Sequence, residues 1–94
     1  MQITKKQIYQ MLNEVFDTET GLSLVALGLI DDVDIKGGQA TVKIHPRVPY
    51  CPPVNLVGIA MDIKQRLKNL GVNKPFVYFH DYYLAEQVNK EVNG

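Results

Sequence analysis

The chain has 94 residues, 46% of them apolar, with ten basic and ten acidic side chains and a formal net charge of zero. That is one domain with a modest core, too apolar for a disordered chain and without the basic excess of a general nucleic-acid binder. No apolar core follows a basic N-terminal region and no stretch approaches the ~20 residues of a membrane span. A lone cysteine, Cys51, makes no internal disulfide and gives no sign of an oxidising compartment. A cytoplasmic protein that engages neither nucleic acid nor membrane is expected. The charges are segregated: six acids and no base from Gln7 to Ile35, then seven bases and one acid, Asp62, from Lys36 to Lys74. They read first as solvated faces that attract each other across the fold, and second as a surface that orients a protein partner.

The first helix is signposted by Thr4 and Gln7, a capping-box pair with Ile3 and Ile8 at the staple positions. Ile8, Met11, Leu12 and Val15 then make one apolar stripe. Asp17-Thr18-Glu19-Thr20-Gly21 has the chemistry to end that helix, with Gly21 suited to positive φ. Leu22 to Leu29 is an apolar run broken by Ser23 and Gly28, and it passes into the alternating segment Ile30 to Ile35. Gly28 within a strand implies a bulge or a close backbone approach. Lys36-Gly37-Gly38-Gln39 is a hairpin turn, and Ala40, Val42 and Ile44 face inward on the returning strand. Leu56, Ile59, Ala60, Ile63, Leu67 and Leu70 recur at helical spacing, with Gly71 as the C-cap. Phe76 to Phe79 reads as a third strand. Asp81 suits the cap of a last helix carrying Leu84, Val88 and Val92, with Asn93-Gly94 frayed. The order α-β-β-α-β-α predicts one two-layer α+β domain over 1–94, a three-stranded sheet covered by helices. Strands one and two are antiparallel, and the second helix is a crossover, right-handed where strands two and three are parallel. Strand order is not readable.

Cys51 lies in Val48-Pro49-Tyr50-Cys51-Pro52-Pro53, where the second strand gives way to the second helix. Two prolines suit a helix start, which places the cysteine beside unpaired backbone N–H groups and the positive end of a macrodipole. That setting favours thiolate, the form that is both nucleophile and metal ligand. The opposing reading is a small buried hydrophobe, the commonest role of a free cysteine.

Three segments together, Asp17-Thr18-Glu19-Thr20-Gly21, Leu24-Val25-Ala26-Leu27-Gly28-Leu29-Ile30 and Pro49-Tyr50-Cys51-Pro52, resemble the SufT/PaaD-like family of iron–sulfur cluster assembly proteins. The family pattern is Asp-Pro-Glu-X-Gly, Ile-Val-Asp-Leu-Gly-Leu-Val and Thr-Pro-Gly-Cys-Pro, and the likeness runs over roughly residues 5 to 85. Thr18, Ala26 and Tyr50 depart from it, as does Asp81-Tyr82-Tyr83 where the family has Pro-Pro-Trp. The resemblance implies maturation of iron–sulfur proteins, with Cys51 as the ligand for iron or a cluster. It also implies partners among apo iron–sulfur proteins or other assembly proteins of the SUF type, or a small accessory role in a multicomponent oxygenase.

A cluster takes four protein ligands, mostly thiolates, and one thiol per chain means that iron or cluster is held transiently and shared, within a homodimer or with a recipient. Asp17 and Glu19 are candidates for ligands or partner contacts, with the alternative that they receive the N–H groups of their own turn. His45 is a second metal candidate. His45 and His80 lack HxxxH or HxH spacing, which argues against a dedicated zinc site, and each reads as a half-exposed residue at a strand end. If the strand ends converge, one of them approaches Cys51. Gly28, Tyr50, Tyr82 and Tyr83 are site-lining or partner-facing candidates, the last two by covering the cysteine. Two other functions stay open. One is an interaction adaptor with an inert cysteine. The other is a thiol redox enzyme, for which no second cysteine is present to resolve a sulfenate. A non-enzymatic assembly factor is the favoured expectation.

Overall fold

The computed structural model describes residues 3–94. Three helices and a three-stranded sheet follow in the expected order: α1 (Lys5–Leu12), β1 (Ile30–Lys36), β2 (Gln39–Ile44), α2 (Pro53–Asn69), β3 (Lys74–Phe79) and α3 (Ala85–Asn93). The sheet order is β1-β2-β3, with β1 and β2 antiparallel and β2 and β3 parallel, so α2 is the crossover. This is the α+β domain that the alternation of patterns implies. Its core is a single cluster. The inward residues Val42, Ile44 and Val77 of the sheet meet Ile8 and Leu12 of α1, Ile63 and Leu67 of α2, and Val88 of α3.

The helix ends follow their local chemistry. Thr4 and Gln7 form the reciprocal capping box, the Gln7 N–H donating to Thr4 Oγ1 at 3.2 Å and the Thr4 N–H to Gln7 Oε1 at 2.8 Å. At the end of α2 the Gly71 N–H reaches the Lys68 carbonyl and the Val72 N–H reaches that of Leu67, both at 3.0 Å. That is a Schellman closure, which needs the positive φ that Gly71 supplies.

Three expectations are corrected. First, α1 stops at Leu12 rather than running to the Asp17 turn. The Glu14 and Val15 N–H groups already bond three residues back, and an isolated bridge between Phe16 and Ser23 draws the chain into a separate loop. Second, Leu22 to Leu29 is not strand, and Gly28 lies outside the sheet. Buried Ser23 caps a short turn: its hydroxyl donates to Asn13 Oδ1 at 2.8 Å and accepts the Ala26 N–H at 3.0 Å. Gly28 (φ 70°) closes that turn, the backbone tolerance of glycine serving a turn rather than a bulge. Third, Asp81 does not cap α3. Leu84 is the N-cap residue, with no side-chain cap bond, and Asp81 itself sits at φ 54°.

The third strand is an edge, and α3 closes it. Asn93 accepts the Val77 N–H at 3.0 Å and donates to the Val77 carbonyl at 2.7 Å. One helical turn earlier, Asn89 does the same for Phe79 at 2.7 and 3.0 Å. Two amide side chains thus stand where a fourth strand would, which satisfies the edge and blocks pairing with another chain. Asn93 is therefore an anchor, not part of a frayed end.

Candidate functional site

Cys51 lies two residues before the first residue of α2, with Pro52 at the N-cap position. The bed of free N–H groups there is thinner than the position implies. Pro52 and Pro53 have none to offer, and the Asn55 N–H is taken by the Pro52 carbonyl at 3.1 Å. Cys51 is half-buried and packs against the edge of the core. Its loop is held by the segment after β3. The Tyr82 hydroxyl donates to the Cys51 carbonyl, and the Tyr83 N–H donates to the Pro49 carbonyl at 3.2 Å. Burial, with smaller contributions from Tyr83 and Cys51, pushes the Tyr82 hydroxyl above its ordinary pKa.

The thiol opens on a small cleft of about 20 Å3, space for about one water molecule. Leu24, Ile44, Leu56 and Phe79 make its floor, and Asp17, Glu19, His45 and Arg47 stand around it. Two segments far apart in sequence, the Asp17–Gly21 loop and the stretch from His45 to Cys51, supply these polar groups. The Asp17–Gly21 loop is self-braced, with Asp17 Oδ2 accepting the Thr20 N–H at 3.0 Å and the Asp17 carbonyl accepting the Gly21 N–H at 2.9 Å. Arg47, six residues before Pro53, then reaches across to it. Its guanidinium lies 2.5 Å from Glu19 and 3.9 Å from Asp17.

Asp17, Glu19, His45 and Cys51 are therefore brought together. Gly28, Tyr50, Tyr82 and Tyr83 do not line the cleft, although Tyr82 holds the cysteine loop from behind. Tyr50 and Tyr83 are 72% and 65% exposed and flank the site. Ala26, where the family pattern has an acid, is exposed and also outside the cleft lining. Arg47 is the functional-site residue that reasoning from sequence missed. Its signal was the charge segregation itself, since a base four residues before Cys51 and an acidic turn upstream are natural partners. A second ion pair between distant segments, Arg66 with Glu14 at 3.5 Å, follows the same logic.

His80 does not approach Cys51. It lies beside His45 at the end of the sheet, ring centroids 6.0 Å apart, and both turn to Asp31. His45 Nδ1 is 2.9 Å from both Asp31 carboxylate oxygens, and His80 Nε2 is hydrogen-bonded to Asp31 Oδ2. Burial works against the Asp31 charge, yet the hydrogen bonds and charges of the two histidines hold its pKa below the ordinary carboxylate value.

The comparisons with known proteins bear on the cleft first. Residues 5–74 match the family model described as "Iron-sulfur cluster assembly protein". The chain belongs to that family. A protein of Methanocaldococcus jannaschii, itself described as uncharacterized, is 31% identical over 90 residues, spanning 94% of this chain and 93% of its own. The crystal structure of a domain of unknown function, DUF59, from Bacillus anthracis matches with a TM-score of 0.71 at 26% identity, covering 93% of this chain and 85% of that one. The family match spans α1 to the first residue of β3, so it contains Asp17, Glu19, Arg47 and Cys51, and it stops short of His80. Membership implies a part in iron–sulfur cluster assembly and dealings with iron–sulfur or assembly proteins. Among the described residues, no helix is long and apolar enough to cross a membrane.

Proposed function

We propose that this protein is a cytoplasmic SufT/PaaD-like carrier in iron–sulfur protein maturation that accepts iron or a nascent cluster at Cys51 and passes it to an apo recipient. The observation that carries the reading is the setting of the only thiol, half-exposed at a cleft with His45 on one side and the Arg47-paired acids on the other. The cargo is held transiently. A cluster takes four protein ligands, mostly thiolates, so this chain shares it with a second copy or with the recipient, and a dedicated redox centre does not form. Arg47 serves by charge: it neutralises Asp17 and Glu19 at rest and is available to an anionic thiolate-ligated cluster when one arrives. The role is delivery rather than catalysis.

The test is anaerobic loading of the protein with ferrous iron and sulfide, followed by transfer to an apo-ferredoxin whose activation is read by absorbance. Wild-type protein accelerates recipient activation, and Cys51→Ser, with an unchanged circular dichroism spectrum, does not. Equal transfer by the mutant would remove Cys51 from the mechanism.

One observation favours a second reading. Tyr50, Tyr83 and Val54, the last 75% exposed, make an apolar rim around the cysteine of the kind that meets another protein. In that case the protein is an adaptor, for SUF-type assembly proteins or for an oxygenase. Binding to the partner then survives Cys51→Ala and is lost on Tyr50→Ser.

A further inference from the structure

We propose that Asp31, His45 and His80 form a binding site for a first-row divalent transition ion, distinct from the Cys51 thiol and beyond the carrier role just described. The three offer one ligand atom each, a carboxylate oxygen and two imidazole nitrogens, all within 4.8 Å of one another. Cys51 is not part of that group. Two imidazoles and a carboxylate with solvent on the remaining side is a donor set for Zn2+ or Fe2+, not for Mg2+ or Ca2+, which prefer all-oxygen surroundings.

The fold assembles the trio from three strand ends. β2 and β3 run parallel with Ile44 opposite Phe79, so the next residues, His45 and His80, emerge side by side on the face the helices leave open. Their backbones are fixed: the His45 N–H donates to the Leu29 carbonyl at 3.1 Å and the His80 N–H to the Ile44 carbonyl at 3.0 Å. Asp31 arrives by an irregularity. Ile30 pairs with Ile44 and Asp32 with Lys43, so Asp31 is the extra residue of a β-bulge. A bulge re-aims a side chain, and here it sends the carboxylate to both histidines while Asp32 keeps its place opposite Lys43.

The second layer fits the same purpose. His80 Nε2 faces Asp31, and on the other side of the ring its Nδ1 lies 3.2 Å from Asp81 Oδ2. A carboxylate behind a ligating imidazole fixes the ring and raises its basicity. Asp81 takes a positive φ of 54° there, a conformation that aspartate adopts more readily than most residues. An ion with bonds of about 2.0–2.1 Å spaces its donors about 3.3 Å apart in a tetrahedron. The His45–Asp31 contact at 2.9 Å needs only a small opening to reach that spacing, and the three side chains are 32% to 47% exposed.

The test titrates metal-free protein with Co2+ anaerobically and follows the visible ligand-field bands, with Zn2+ as competitor. Cys51→Ser, which leaves no thiol, still binds one equivalent per chain, without a sulfur-to-cobalt charge-transfer band. Asp81→Asn weakens binding about tenfold, and His80→Gln and Asp31→Asn weaken it further. A large excess of Mg2+ does not displace the cobalt. Wild-type affinity in both His80→Gln and Asp31→Asn would overturn the proposal and leave the trio a hydrogen-bonded brace. Loss of all cobalt binding in Cys51→Ser would overturn it in favour of the thiol. The outcome is separable from the carrier reading, since Cys51→Ser abolishes cluster transfer there and leaves cobalt binding whole here.

Discussion

The Cys51 cleft and the Asp31–His45–His80 trio lie at the same end of the sheet and share His45, yet they are built by different means. The cleft's polar groups come from two short continuous segments: a strand end, a proline-flanked turn and a helix start deliver Cys51, and a self-braced acidic loop faces it. The trio is a product of strand register, one residue from each strand end, aligned by a parallel pairing and a bulge. A site of the first kind survives in a sequence pattern that a family model can capture. A site of the second kind leaves no spacing to read, because its residues are 14 and 35 apart and meet only after the sheet has formed.

The change that breaks the comparison hardest is Ile44→Ala. Ile44 is fully inside, lines the cleft, and is the β2 residue on which the parallel register beside His45 and His80 is set. Removing it costs about 2–5 kcal/mol by the usual toll of a buried large-to-small substitution. It lowers the midpoint of urea unfolding, and it impairs cluster transfer and metal binding together. Asn89→Leu acts on the strand edge that borders both regions. It strips the Phe79 N–H and carbonyl of their partners on the sheet edge. The expected loss is about 1–3 kcal/mol. Amide exchange should quicken at Phe79 and Val77 while the β1–β2 ladder keeps its protection. Uniform quickening across the sheet would mean that the asparagine pair is not a local edge cap.

Most of the fold was legible because periodicity and caps report it directly. The Thr4–Gln7 box, the Gly37-Gly38 hairpin and the Leu56-to-Leu67 stripe each carry their own local signal. What escaped was polar. Ser23 looked like an interruption in an apolar strand, whereas its hydroxyl makes a turn and ends the strand before it starts. Asn93 read as part of a frayed end and Asn89 carried no signal, because four-residue spacing says nothing about which backbone the amides face. Asp81 looked like an N-cap and instead backs His80. At the candidate site, the position of Cys51 was readable and Arg47 was not. The histidines were judged by spacing along one segment, a test that fails for ligands delivered by neighbouring strands.

The smallest predicted effect is also the one that probes how the cleft is held shut from behind. Tyr82→Phe removes the hydroxyl that donates to the Cys51 carbonyl, a loss of about 1 kcal/mol at neutral pH. The pH dependence has a definite sign. Burial, with Tyr83 and Cys51, raises the folded-state pKa of Tyr82 above its unfolded value, which is about 10. The neutral hydroxyl therefore contributes its full stability below about pH 10, and that contribution falls as the pH climbs through the folded value. The stability gap between wild type and Tyr82→Phe should stay constant from about pH 7 to 9 and narrow above about pH 10, as measured by urea denaturation. Freed of this tether, the Cys51 loop opens more often, so alkylation of the thiol at neutral pH quickens in the mutant. Unchanged alkylation together with a reduced stability would place the hydroxyl in the core's account alone, and would leave the Tyr83–Pro49 backbone bond as the contact that positions the cysteine.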